Sequence, residues 1–372
     1  MTRSTTPKGR TSTMRMSATA LIRLVAAASV IAMGLATSGC TTAREAEARA
    51  NAANNSAVTC PVEVNSTATG AVRIGWQAIP SANLLVKDKG WIEACLPNVT
   101  VTWIKFDSGA DVVQGFGSGS VDLSTLGSSP ATKALSAPLN VDMQIVWIDD
   151  VIGTAESLVA KDPGIKTLTD LRGHTIAVPF GSTSHFSLLM ALKEAGLTPG
   201  TDVKLINLSP DKMLAAWNGS QVDAAWVWDP VLSELVAHGH IITSSQVTAK
   251  QGNPTFDLQG ATRTFVQANQ GFLDTWTAIQ DHAVGELTGG DAKAAAQSVS
   301  VQLGSTPEAV LAQFPGYTYP RAKRQAELLA DLPEQLLATG KFLATQGEVD
   351  SVSELSKYQA GIYSASIEKA AK

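Results

Sequence analysis

A chain of 372 residues is longer than one compact core usually takes, so two lobes are expected, and 16% charged with 44% hydrophobic residues excludes a disordered body. The net charge of −5 hides a split: the first 39 residues hold Arg3, Lys8, Arg10, Arg15 and Arg23 with no acid, leaving 23 basic against 33 acidic residues beyond them. A body with that acidic excess does not bind nucleic acid by neutralising phosphates.

Met1–Ser17 is basic and polar, Ala18–Leu35 is apolar apart from Arg23, and Ala36–Gly39 brings small residues up to Cys40. The layout resembles a bacterial lipoprotein signal over residues 1–39, with Cys40 as the lipidated residue and Thr37 where that motif prefers leucine. A transmembrane anchor is the alternative; Arg23 and the small-residue end argue against it. Residues 40–69 are rich in Ala, Asn, Thr and Glu without apolar periodicity, and read as a flexible tether with no fold of its own. Beyond Cys40 only Cys60 and Cys95 remain, and two thiols in an exported chain are expected to pair rather than to bind metal.

The folded body begins with strand Val72–Trp76, then a helix from Asn83 to Ala94, strand Val99–Phe106 and a helix from Ala110 to Phe116. Val121–Leu126 is a third strand ending in Gly127–Ser128–Ser129–Pro130 and a further helix, and Val141–Trp147 a fourth strand. Such alternation predicts βαβ units and parallel-rich sheets flanked by helices. The pattern restarts with strands Glu156–Lys161, Thr175–Pro179, Val203–Asn207 and Ala224–Val227, separated by helices over Ser184–Ala195 and Pro210–Asn218. Strand recurs around Pro254–Phe265 as a return crossing, and helical pattern fills the rest of the chain. Lobe 1 is thus assigned to 71–155 and 257–372, and lobe 2 to 156–256.

Loops at the carboxyl ends of strands are where open α/β sheets bind ligands. Here they hold Gln77, Asp107–Ser108, Gly127–Ser129, Ser182–His185 and Trp226–Asp229. Two are serine-rich turns opening helices, whose first N–H groups lack backbone partners at the positive end of the dipole. Facing each other, they would hold one strongly acidic group of a small molecule. An ordinary Ser/Thr cap with no ligand is the other reading of the Ser182–Ser184 turn.

KFDSGA (Lys105–Ala110), LGSSP (Leu126–Pro130), IAVPFGSTSHFSLLMALK (Ile176–Lys193), NLSP (Asn207–Pro210), AAW (Ala215–Trp217), VDAAWVWDP (Val222–Pro230) and NPTFD (Asn253–Asp257) stand in that order. With these motifs the chain resembles the substrate-binding proteins of taurine importers of the ATP-binding-cassette class. The resemblance implies a two-lobed α/β fold of the type II periplasmic-binding-protein kind with the ligand between the lobes. It implies taurine or a related sulfonate as cargo, and an ABC permease with its cytoplasmic ATPase as partners. Gly127, Ser128, Ser129, Thr183 and Ser184 would hold the sulfonate, Glu156 and Asp257 would face the amine, and Trp228 would pack on the carbon chain or stack with the cation. Gln77 keeps an amide in the first loop, and His185 adjoins the anion site as a positional residue. Asp229 replaces a small residue and would be either a third acid near the amine or, the favoured reading, a cap for the next helix.

An enzyme is the competing class. Ser182 and His185 could serve a hydrolase, but GSTSH lacks the G-x-S-x-G elbow, and a serine so close to its histidine is poorly placed for a relay. No His/Cys/Asp cluster has metal-ligand spacing and no phosphate loop is present, so no catalytic residue, metal or cofactor is expected. Other alkanesulfonates, nitrate, bicarbonate and pyrimidine precursors are the alternative cargoes.

Overall fold

A computed structural model describes residues 58–372. The signal, Cys40 and the tether up to residue 57 lie outside the described residues. The strands are β1 (Gly70–Trp76), β2 (Val99–Lys105), β3 (Leu123–Gly127), β4 (Met143–Ile152), β5 (Glu156–Ala160), β6 (Thr175–Val178), β7 (Lys204–Asn207), β8 (Ala224–Trp228), β9 (His240–Ser244), β10 (Phe256–Thr262) and β11 (Tyr317–Thr318). They form two sheets, ordered β11-β4-β10-β3-β1-β2 and β7-β6-β8-β5-β9. Each has a parallel core, β2-β1-β3 in one and β7-β6-β8 in the other. To these the connecting strands add antiparallel: β10 lies between β3 and β4, and β5 between β8 and β9. The chain leaves the first sheet between Ile152 and Glu156 and returns to it between Ser244 and Phe256.

Central strands read as continuous apolar runs because both faces are covered. Every residue of β8 (AAWVW) is buried, as is every residue of β3 and β5. Trp147, Trp217, Trp226 and Trp276 are among the largest fully buried side chains.

Three differences from the sequence reading have local causes. The helix expected over Asn83–Ala94 is two helices, Ala82–Lys89 and Trp91–Cys95, because Gly90 takes a left-handed φ of 63° and its N–H closes the first one. Strand β4 runs on to Ile152, since Asp149 and Asp150, polar enough to suggest a loop, are fully enclosed between neighbouring strands. Residues 58–69 have no helix or strand, yet they are fastened rather than loose. Cys60 is disulfide-bonded to Cys95, the Asn65 N–H donates to Cys95 O at 2.8 Å, and Asn65 Nδ2 donates to Gly271 O and Thr275 Oγ1 at 3.0 and 3.2 Å. A polar, aperiodic stretch carries no sign of such distant partners.

Candidate functional site

The helix Thr183–Glu194 starts as its turn predicts. Ser182 is extended (φ −81°, ψ 173°), and its Oγ accepts from the His185 N–H at 3.1 Å while donating to Pro179 O at 2.6 Å. The N–H groups of Thr183 and Ser184 precede the first intrahelical acceptor and remain available. In the other lobe the helix Ser128–Leu135 starts directly after Gly127 with no side-chain cap. The two starts converge: a Cβ built on Gly127 would lie 2.6 Å from Thr183 Cγ2. Glycine is needed there for close approach, since its φ of −71° suits any residue.

Sheet register builds the opposite end. Asp257 on β10 is flanked by Gly127 on β3 and Asp150 on β4, and Glu156 on β5 pairs with Trp228 on β8. Cross-strand partners share a face, so Trp228 stands beside Glu156, and Asp257 beside the Gly127 turn. The cleft between the lobes is narrow and is lined by Gln77, Ile79, Gly109, Gly127, Pro130, Glu156, Ser182, Thr183, Trp228 and Asp257.

The electrostatics are one-sided. Glu156 is buried, accepts from Thr183 Oγ1 at 2.5 Å and Ser245 Oγ at 3.3 Å, and has the fully buried Ser184 hydroxyl nearby without hydrogen-bond geometry. Burial pushes its pKa up to about 7 against the pull of these hydroxyls. Burial, then the charges of Glu156 and Asp149, pushes Asp257 well above the usual carboxylate range. Among the described residues no Lys, Arg or His side chain is ion-paired with either.

Six of the expected residues thus line the cleft: Gln77, Gly127, Glu156, Thr183, Trp228 and Asp257. The Thr183 hydroxyl is turned to Glu156, which leaves its N–H as the free donor at this position. Gln77 donates through Nε2 to Thr125 O at 3.0 Å. The other expected residues are placed elsewhere. Asp107 is exposed and pairs with Lys105 at 3.9 Å, because the loop after β2 turns it to solvent. Ser108 Oγ caps the next helix by accepting from the Asp111 N–H at 3.3 Å. Ser128 Oγ accepts from the Phe256 N–H at 3.2 Å, which ties the Gly127–Pro130 turn to β10, and the Ser129 hydroxyl is buried without a partner.

His185 stacks on Phe180 with centroids 4.6 Å apart and accepts through Nδ1 from the Gly181 N–H at 3.1 Å. Burial lowers its pKa to about 4, so it is neutral near pH 7. Ser182 and His185 meet through hydroxyl and backbone N–H, not through the imidazole. Asp229 Oδ1 accepts from both the N–H and the hydroxyl of Ser233, at 3.0 and 2.6 Å, as a cap would. Sequence reasoning missed Ile79, Gly109 and Pro130 in the lining, and Asp150 behind Asp257. Only the paired acids in IDDVI hinted at the last.

Two α/β lobes joined by two crossings, with a polar cleft between them, define a two-lobed solute-binding protein. The type II periplasmic-binding-protein fold is borne out by solved structures. One is the alkanesulfonate-binding protein SsuA from Xanthomonas axonopodis pv. citri bound to MOPS, with a TM-score of 0.67 at 23% identity, covering 81% of this chain and 99% of that one. Another is the periplasmic nitrate-binding protein NrtA from Synechocystis PCC 6803, with a TM-score of 0.69 at 16% identity, covering 82% and 89%. In sequence the chain is 34% identical over 273 residues to the taurine-binding periplasmic protein of Escherichia coli (strain K12), which covers 68% of this chain and 80% of the relative. The profile of the NMT1-like family matches residues 66–299, and the chain belongs to that family.

Proposed function

We propose that this protein is the extracytoplasmic substrate-binding component of an ABC importer, and that it captures taurine and delivers it to the permease. The observation that carries the reading is the polarity of the cleft. Two helix N-termini supply neutral donors at one end, and Glu156 and Asp257 supply buried carboxyl groups with no ion-paired cation among the described residues at the other. A short zwitterion with a permanent anion and an ammonium completes both ends. N–H donors suit a sulfonate because no counter-charge has to be desolvated with it. Trp228, beside Glu156, packs on the two-carbon link. The contact between Gly127 and Thr183 belongs to a closed form, and opening separates the two anion turns. Lipidation at Cys40 would hold the protein on the outer face of the cytoplasmic membrane, within reach of its permease.

Calorimetric titration of the full chain with taurine, ethanesulfonate and sulfate tests this. Taurine is expected to bind best, with ethanesulfonate weaker by about tenfold or more (~1.4 kcal/mol). Equal binding of the two sulfonates would remove the amine roles of Glu156 and Asp257 and leave a general alkanesulfonate binder. No binding of any of the three would overturn the sulfonate reading.

A further inference from the structure

The carboxyl end of the cleft extends deeper than the residues that line it. Asp150 lies across the β4/β10 ladder from Asp257, so both side chains are on one face. The register shifts just beyond this pair, from Asp257/Asp150 to Leu258/Ile148, leaving Asp149 unmatched; it accepts from Gln259 Nε2 at 2.7 Å. Asp150 is 0% exposed, and neither of its oxygens has a hydrogen-bond partner. A carboxylate in that setting would be an unsolvated charge beside like charges, so the group is held as the neutral acid.

The groups facing Asp150 from neighbouring elements offer no relief. They are Asp149 on its own strand, Asp257 on β10, Glu156 on β5, and Tyr317 and Tyr319 in and just after β11. Both tyrosines are pushed well above their usual range, first by burial, and stay neutral. The described residues contain no cluster of three or more His, Cys, Asp or Glu able to hold a metal ion. Among the described residues nothing supplies a cation for an ionised form of the cluster, so such a cation would arrive with the cargo.

We propose that uptake of an ammonium-bearing cargo expels a proton from the carboxyl cluster of Glu156, Asp257 and Asp150, so that capture strengthens as pH rises. This rests on the zwitterion reading given above. The exchange balances: one carboxylic acid loses its proton to bulk buffer, its carboxylate faces the ammonium, and the cargo keeps its own proton throughout. The neutral form of Asp150 allows a neighbour to ionise without a second buried charge beside it. Placement of Glu156 near pH 7 by burial agrees with this, and His185, neutral across the same range, contributes no proton.

The test is calorimetry of the full chain with taurine at pH 6.5, in buffers of differing ionisation enthalpy, repeated with ethanesulfonate. The slope of observed enthalpy against buffer enthalpy counts the protons exchanged. The expected result is release of about one proton with taurine and none with ethanesulfonate, and a taurine affinity rising by up to about tenfold per pH unit between pH 6 and 7. Taurine binding that does not depend on buffer overturns the inference and leaves the cargo reading standing. Equal release with ethanesulfonate also overturns it, because the proton then comes from the anion end. Absence of taurine binding at every pH overturns the cargo reading and the inference with it.

Discussion

On the proposed reading, the recognition groups at one end of the cleft are peptide N–H donors at two helix starts; at the other they are carboxyl groups on the interior strands β5 and β10. The donor end is neutral whether empty or filled. The carboxyl end is not: Glu156 and Asp257 are buried with no cation among the described residues, and Asp150 lies behind them with both oxygens unpartnered. The difference teaches that, on this reading, the two ends divide the work. Helix N-termini would hold an anion that never titrates, whereas the carboxyl cluster is unfavourable when ionised alone and is relieved by protonation or by a cation.

The largest expected effect removes one end alone. Glu156→Gln keeps the acceptor for Thr183 but deletes the charge, and should weaken taurine by about 3 kcal/mol, over a hundredfold, while leaving ethanesulfonate within about threefold. Parallel titrations check this, and an equal loss for both ligands would break the division of roles.

Replacing Cys60 and Cys95 by alanine touches neither end. It should lower unfolding stability by about 2–4 kcal/mol in denaturant titrations with taurine affinity unchanged. A coupled loss of affinity would mean that the fastening at residues 58–69 reaches the cleft.

Gly127→Ala acts on what the ends share. Its Cβ would meet Thr183 at 2.6 Å, so closure is blocked for every ligand, and both sulfonates should weaken by about tenfold (~1.4 kcal/mol). The melting temperature of the empty protein should hardly move, because the Gly127 backbone angles are ordinary.

The smallest effect is that of pH on the empty protein. Glu156 and Asp149 have folded pKa values of about 7, above their unfolded values, so between roughly pH 4.5 and 7 the native state binds more protons than the unfolded chain. Their stabilisation is complete below the unfolded pKa and is lost as pH rises through 7. His185, lowered to about 4, works in the opposite sense, but only between about 4 and 6.5. Cooling the comparison to one window, from pH 7.5 to 6.5, stability should rise by about 1 kcal/mol, read as a melting shift of ~2–4 °C. Glu156→Gln should flatten that slope, and a slope of opposite sign would mean that the cluster is ionised when empty.

The sequence by itself determined what rests on local bonding. The run of β-branched residues in TIAV, the hydroxyl of Ser182 and the apolar stripe after it specify strand, cap and helix within about 20 residues, so one helix start was legible with its cap. The second, Gly127–Pro130, was legible for the same reason, and so were the two lobes, from alternating strands and helices that restart after Trp147. Motif resemblance carried Glu156, Asp257 and Trp228. Local pattern alone says nothing of their neighbours. Only the tertiary structure decided that Asp257 lies between Gly127 and Asp150, because that order depends on a strand returning 100 residues later to lie antiparallel between β3 and β4. It also decided that Ser128 and Ser108 spend their hydroxyls on backbone N–H groups, and that Asp107 faces solvent. Helix starts are short-range and are written in adjacent residues; a buried carboxyl cluster is assembled from strands far apart in the chain, and its protonation follows from the burial that assembly creates.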